Sequence, residues 1–168
     1  MIPDFRDPPA IFRPDLTPKQ MLHLGVFGGA YFPKEDRAEF PADWFAGAKV
    51  SDVFDAKLNL FGVAAGQSMD VWIAKGWIRP VDPLGWFQWY CRYYEGRRCD
   101  DDERQIKRHK NFLRHVGMLR HNAKGDPARA YVHRQALLQW GYDPFADLED
   151  ELSTMQKIAK YLPGAKGL

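Results

Sequence analysis

Apolar residues recur along this chain at helical spacing, and short polar signals separate the runs. The clearest start signal is Leu16-Thr17-Pro18-Lys19-Gln20-Met21. Thr17 stands as the cap, Pro18 as the first helical residue and Gln20 as the partner that closes a capping box; Leu16 and Met21 form a hydrophobic staple. A short helix is expected from Pro18, then a glycine-rich aromatic turn, GVFGGAYFP. Residues 50–80 read as two short helices around Gly62, followed by GWIRP. Further helices are expected over 83–95, stopped by Gly96, over 100–121, over 127–140, closed by Gly141, and over 145–162. Asp82-Pro83, Asp126-Pro127 and Asp143-Pro144 share a cap-then-proline pattern, so these aspartates read as caps rather than catalytic acids. No strand-like alternation of useful length and no internal repeat is visible. The expected fold is mostly α: a proline-rich extended segment over 1–16, one compact helical domain over 17–162 and a polar tail over 163–168.

The segment GWFQWYCRYYEGRR, from Gly85 to Arg98, poses the main question. Wound as a helix, it gathers Gln88, Arg92 and Glu95 on one narrow stripe and leaves large apolar side chains over the rest of its surface. That pattern predicts the central helix of the domain, with the alternative that one or two tyrosines line a pocket or stack on a base. The next helix is charge-segregated. Asp100, Asp101, Asp102 and Glu103 occupy its first turn, where they favour the positive end of the helix dipole. No acid follows until Asp126. Lys107, Lys110, Arg114 and His121 make an exposed stripe, opposite a side formed by Ile106, His109, Phe112, Leu113 and Val116. His109, on the apolar side, reads as a hydrogen-bonded core histidine. His109, His115 and His121 recur every six residues and point in different directions, so they do not ligate one metal.

Hydrophobic content of 45% excludes a disordered chain, and a net charge of +2 does not by itself announce a nucleic-acid or membrane partner. No run of 18 apolar residues exists, so no membrane partner is expected. The start lacks the basic-then-apolar order of a secretory signal. The two cysteines, Cys91 and Cys99, match no redox or zinc spacing and read as free thiols of a reducing cytoplasm. No metal and no cofactor are expected.

Between residues 51 and 90, LFGVAAGQSMDVWIAKGWIRPVDPLGWFQWY resembles the helix-turn-helix and wing of the MerR-type regulators. The resemblance implies a turn at Gly62 and Val63, a recognition helix over 67–75 anchored by Trp72, and DNA as partner. Asp70 and the VDPL segment depart from that pattern. Over most of its length the chain also resembles a family of short uncharacterised aromatic-rich proteins, in LGVFGGAYF, GWFQWYCRYYEGRR, RQIKRHKNFLRHVG and RQALLQWGYDP. That likeness implies a single domain and assigns no site.

Two functions compete. In the first, the protein binds DNA or another polyanion: Arg97, Arg98, Lys107, Lys110, Arg114 and Lys75 hold phosphates, and Gln67 and Ser68 reach base edges. In the second, a small enzyme or ligand-binding protein encloses an anionic or aromatic molecule. Tyr31, Tyr90 and Tyr93 then supply walls, Arg92 or Arg97 the cationic contact, and His23 or Cys99 the reactive group. No Ser-His-Asp signature, zinc motif or nucleotide loop names a reaction. A homodimer is a further reading, through a last-helix seam of Leu148, Leu152, Met155, Ala159 and Leu162. Arginines on an open convex face favour the first function; arginines turned into an aromatic concavity favour the second.

Overall fold

The computed structural model describes residues 12–162 and Gly164. Most of the expected N-terminal segment and most of the tail lie outside the described residues. The fold is mostly α: α1 (Pro18–Leu24), α2 (Met69–Ala74), α3 (Trp86–Tyr94), α4 (Asp102–Asn111), α5 (Arg114–Ala123), α6 (Tyr131–Gln139) and α7 (Thr154–Tyr161). Short 3-10 turns bridge the long stretch between α1 and α2. Among the described residues the only β feature is an isolated bridge between Arg79 and Asp82, and no helix is long and apolar enough to cross a membrane.

α1 starts as its sequence dictates: Thr17 accepts from the Gln20 amide, and Gln20 accepts from the Thr17 amide. The glycine-rich turn is a close-packed corner. Gly25 has φ +111°, and a Cβ there would strike the Leu58 carbonyl oxygen, so a side chain is excluded both by conformation and by space.

α3 is the central helix. Trp86, Phe87, Trp89, Tyr90, Cys91 and Tyr93 are all buried, and the edge of Phe12 meets the rings of Trp89, Tyr90 and Tyr93. The polar stripe of α3 runs from the interior to solvent: Arg92 is half-buried and Glu95 exposed. Gln88 is enclosed and accepts from the Leu84 amide. A second, smaller cluster joins Leu119, Ala123, Leu137 and Tyr142 between α5 and α6, and Trp140 packs against both clusters.

Several elements differ from expectation. Before Gly62 stands a 3-10 turn, Ala56–Leu58, in place of an α-helix, and α2 buries none of its residues. A helix-turn-helix needs two helices packed on each other; here neither the first helix nor the buried face of the second exists. The basic helix is broken at Phe112 and Leu113 into α4 and α5, which turns Leu113 out to solvent rather than inward. The last helix starts later than Phe145. Asp143 closes a turn on the Phe145 amide, and the real start is a second capping box, Ser153 with Gln156. Leu148, Met155 and Leu162 of the expected seam pack on the chain's own core, while Ala159 is exposed and Leu152 sits at the surface.

His109 is a core histidine. Its ring stacks on Tyr142 at 4.2 Å, and its Nδ1 faces the Tyr142 hydroxyl. Burial pulls its pKa from 6.5 down to about 4. The depressed value makes its contribution acid-labile. Above the ordinary value, histidine is neutral in both states. As pH falls below it, the unfolded chain takes up a proton that the folded chain refuses until about pH 4. Stability should therefore fall across that window by up to about 3 kcal/mol. Urea melts between pH 7 and 4 check this: His109→Gln should flatten the slope, and an unchanged slope would assign the acid loss to other groups.

Candidate ligand-binding cleft

A cleft of about 580 Å³ opens where the two apolar clusters meet. One wall is the 66–78 segment, which brings Gln67, Trp72, Lys75, Trp77 and Ile78. The facing wall comes from α4, α5 and α6, with Arg108, Phe112, Arg114, His115, His133 and Trp140. Gly85, Trp86 and Phe87, where α3 begins, complete the lining together with Phe27 and Tyr31. The volume lies within the roughly 300–1,000 Å³ typical of small-molecule sites.

The walls are built from stacked rings. Trp140 lies against Phe112 at 4.8 Å and 16° and against Trp86 at 4.7 Å. Phe112 in turn stacks on His115 at 3.9 Å. Tyr31 is pinned by its hydroxyl, which donates to the Leu84 carbonyl and accepts from the Gln88 amide. Its ring lies 6.4 Å from that of Trp72 on the opposite wall.

The electrostatics of the lining are one-sided. It contains Lys75, Arg108 and Arg114 and no aspartate or glutamate. Arg108 is the decisive group. Elsewhere the guanidinium of Arg92 meets Glu39 and Asp82, that of Arg97 meets Asp82, that of Arg104 meets Asp101, and that of Arg134 meets Asp147. Arg108 meets no carboxylate among the described residues. Its one hydrogen bond goes to the Gln105 side chain, and it lies near the Trp77 and Trp140 rings, at 5.7 and 5.5 Å. Burial, with the neighbouring Arg104 charge, lowers its pKa to about 10. It remains a cation at neutral pH, held in an aromatic cleft with Asp101 near enough to favour its charge but no carboxylate in contact among the described residues. His115 is pushed towards its neutral form by burial, then by Arg114 and His133.

Two helix starts add positive potential. The N-cap residues of α3 and α6 supply no side-chain bond, though the Tyr31 hydroxyl meets the Gln88 amide of α3, and residues of their first turns, Trp86 with Phe87 and Val132 with His133, line the cleft. The sequence places a cap signal just ahead of each, but both aspartates are used elsewhere. Asp82 is buried and held by Arg97 through both its oxygens and by Arg92 through one. This corrects its reading as a cap. Asp126 closes a turn on the Ala128 amide.

The structure brings four of the expected site residues to this cleft: Gln67, Lys75 and Arg114 from the polyanion set, and Tyr31 from the pocket set. The others lie apart from it. Arg97 is engaged by Asp82, and Arg98 lies over Tyr93 at 3.7 Å and donates to the Tyr93 and Arg97 carbonyls. Lys107, Lys110 and Ser68 are exposed. Tyr90 donates to the Leu16 carbonyl, Tyr93 is enclosed in the core, and Arg92 bridges Glu39 to Asp82. His23 meets the Asp43 carbonyl, and the thiol of Cys99 donates to Asp102. Both cysteines are free thiols. Among the described residues no group of three or more His, Cys, Asp or Glu side chains is placed to hold a metal ion.

Arg108, Trp77, Trp140, His115 and His133 were not singled out as site residues by sequence. The acid-free run from Arg104 to Gly125 pointed to the right helices. Nothing in the spacing showed that Arg108 would turn inward between two tryptophans. Compared with known proteins, the chain matches no family model, no curated protein and no solved structure.

Proposed function

We propose that the protein binds a small planar organic anion in this cleft. The observation that carries the reading is Arg108: a half-buried guanidinium, among tryptophan rings, that meets no carboxylate among the described residues. Burying a charge is costly unless something answers it. An anionic ligand with an aromatic body would supply both the missing charge and a surface to stack on the rings. The engagement of Arg97 and Arg98 within the fold weighs against an open phosphate-binding face at that end of α3. A cytoplasmic setting, in which the free thiols stay reduced, belongs to the same proposal.

Tryptophan fluorescence offers a direct test, because most of the tryptophans line the cleft. A panel of aromatic carboxylates and phosphates should include a compound that quenches the emission saturably. Arg108→Gln should weaken its binding roughly tenfold to hundredfold, the worth of a charge-assisted hydrogen bond at about 1.5–3 kcal/mol. Lys107→Gln with Lys110→Gln should leave it unchanged, since neither lysine lines the cleft. Absence of saturable quenching across the panel, or equal binding by the Arg108 variant, would refute the proposal.

A further inference from the structure

The cleft's charge and its polar rim narrow the ligand further. Resting on the reading above, we infer that the ligand is a free mononucleotide, with its phosphate held by Lys75, Arg108 and Arg114 and its base stacked on the aromatic walls.

Charge balance comes first. Three cations line the cleft with no acid among them, and the start of α6, which has no side-chain cap, adds to the positive potential. A monocarboxylate would answer the half-buried Arg108 and leave the exposed Lys75 and Arg114 to solvent. A phosphate monoester carries a charge of about −1.5 to −2 at neutral pH and presents three acceptor oxygens. It can take guanidinium, ammonium and backbone amide donors together.

The rest of the lining suits a base. Trp72 and Trp77 are half-buried and border the space, so aromatic surface is offered by the 66–78 wall, while on the facing wall Phe112 and Trp140 present the edge of their own stack. Base-on-aromatic stacking contributes without demanding one particular base. Selection then falls to polar edges. The exposed side-chain amides of Gln67 and Asn111 line the mouth of the cleft. Each offers a donor and an acceptor, the pattern that pairs with the edge of a purine.

Size and surroundings favour a free nucleotide over a strand. The cleft holds about 580 Å³, room for one nucleotide rather than several. A strand needs a cationic track leading away from the first base. Arg97 and Arg98, two of the cations expected to hold a backbone, lie apart from the cleft and are occupied by Asp82 and by the Tyr93 ring and carbonyl.

Isothermal titration of the purified full chain distinguishes the cases. The probes are purine nucleoside 5′-monophosphates, the corresponding nucleosides, 2-naphthoate and a short single-stranded oligonucleotide. The expected result is that a mononucleotide binds at least tenfold tighter than its nucleoside, than naphthoate and than the oligonucleotide per site. Arg114→Gln should then cut the nucleotide's advantage over the nucleoside at least fivefold while leaving nucleoside affinity within twofold. Circular dichroism melts should confirm that the variant is folded; if it is not, Lys75→Gln at the exposed rim serves the same purpose. Naphthoate binding tighter than every nucleotide, with loss in Arg108→Gln, would overturn the nucleotide and leave the planar-anion reading standing. Tighter oligonucleotide binding would overturn the free nucleotide in favour of a strand. No heat with any probe would overturn both readings.

Discussion

Replacing Arg134 by methionine should destabilise the protein by about 3–5 kcal/mol and lower its melting temperature by roughly 6–20 °C. Arg134 and Asp147 are both 0% exposed and pair at 2.7 Å. The guanidinium donates to both Asp147 oxygens and to the carbonyls of Asp126, Arg129 and Pro144. It therefore ties the loop before α6 to the loop after it. Methionine fills much of the volume but leaves Asp147 as an unpaired buried charge, and it orphans three carbonyls. The paired variant Arg134→Met with Asp147→Leu should recover a large part of the loss, because it removes the stranded charge. Differential scanning calorimetry checks both. A single variant that melts within a couple of degrees of the wild type would mean that water reaches this pair.

Trp89→Ala should cost a similar amount, about 3–5 kcal/mol. Trp89 is completely enclosed; its ring packs on Phe12 at 5.2 Å and Tyr93 at 4.9 Å, and its Nε1 donates to Asp102. Truncation opens a cavity in the main core and removes one of the bonds that hold the start of α4. Trp72→Ala provides the contrast. That ring is half-buried, on a helix with no buried residues, at the border of the cleft. Its loss should move the melting temperature little and weaken ligand binding clearly. Chemical denaturation of the two variants side by side tests the division between core and cleft aromatics. Comparable losses in both would show that the 66–78 segment is part of the core rather than a wall of the site.

The aromatic helix was legible because period and composition agreed. A helix apolar over most of its surface has one stable place, the interior, and α3 takes it. The capping boxes at Thr17 and Ser153 are local, needing only residues three apart; the first was evident, and the second was overlooked inside a helix drawn too long. Asp82 shows where local reading stops. Its cap-then-proline pattern was real, but Arg92 and Arg97, on the far side of α3's start, compete for the same oxygens and win in the buried setting. The helix-turn-helix likeness rested on the Gly62-Val63 turn, on Trp72 and Lys75 at the end of the next helix, and on the GWIRP and aromatic segments after it. Residues 69–74, MDVWIA, are apolar enough to pack, but only a 3-10 turn stands before Gly62 to receive them, and the structure leaves that helix on the surface with Ile73 exposed. Arg134 and Arg108 were illegible for one reason. Helical spacing gives a side chain's direction around its own axis, not what stands opposite. Opposite Arg134 stands Asp147, and opposite Arg108 stand two tryptophans from other segments.

The central claim, that the cleft is the binding site, can be read from six indole resonances. Trp72, Trp77, Trp86 and Trp140 line the cleft, whereas Trp44 and Trp89 do not. With a ligand that quenches the fluorescence, ¹H–¹⁵N spectra should show the Nε1–H signals of the four cleft tryptophans shifting along a common saturation curve, with those of Trp44 and Trp89 in place. Shifts confined to Trp44 or Trp89, or none in the cleft at saturation, would contradict the account.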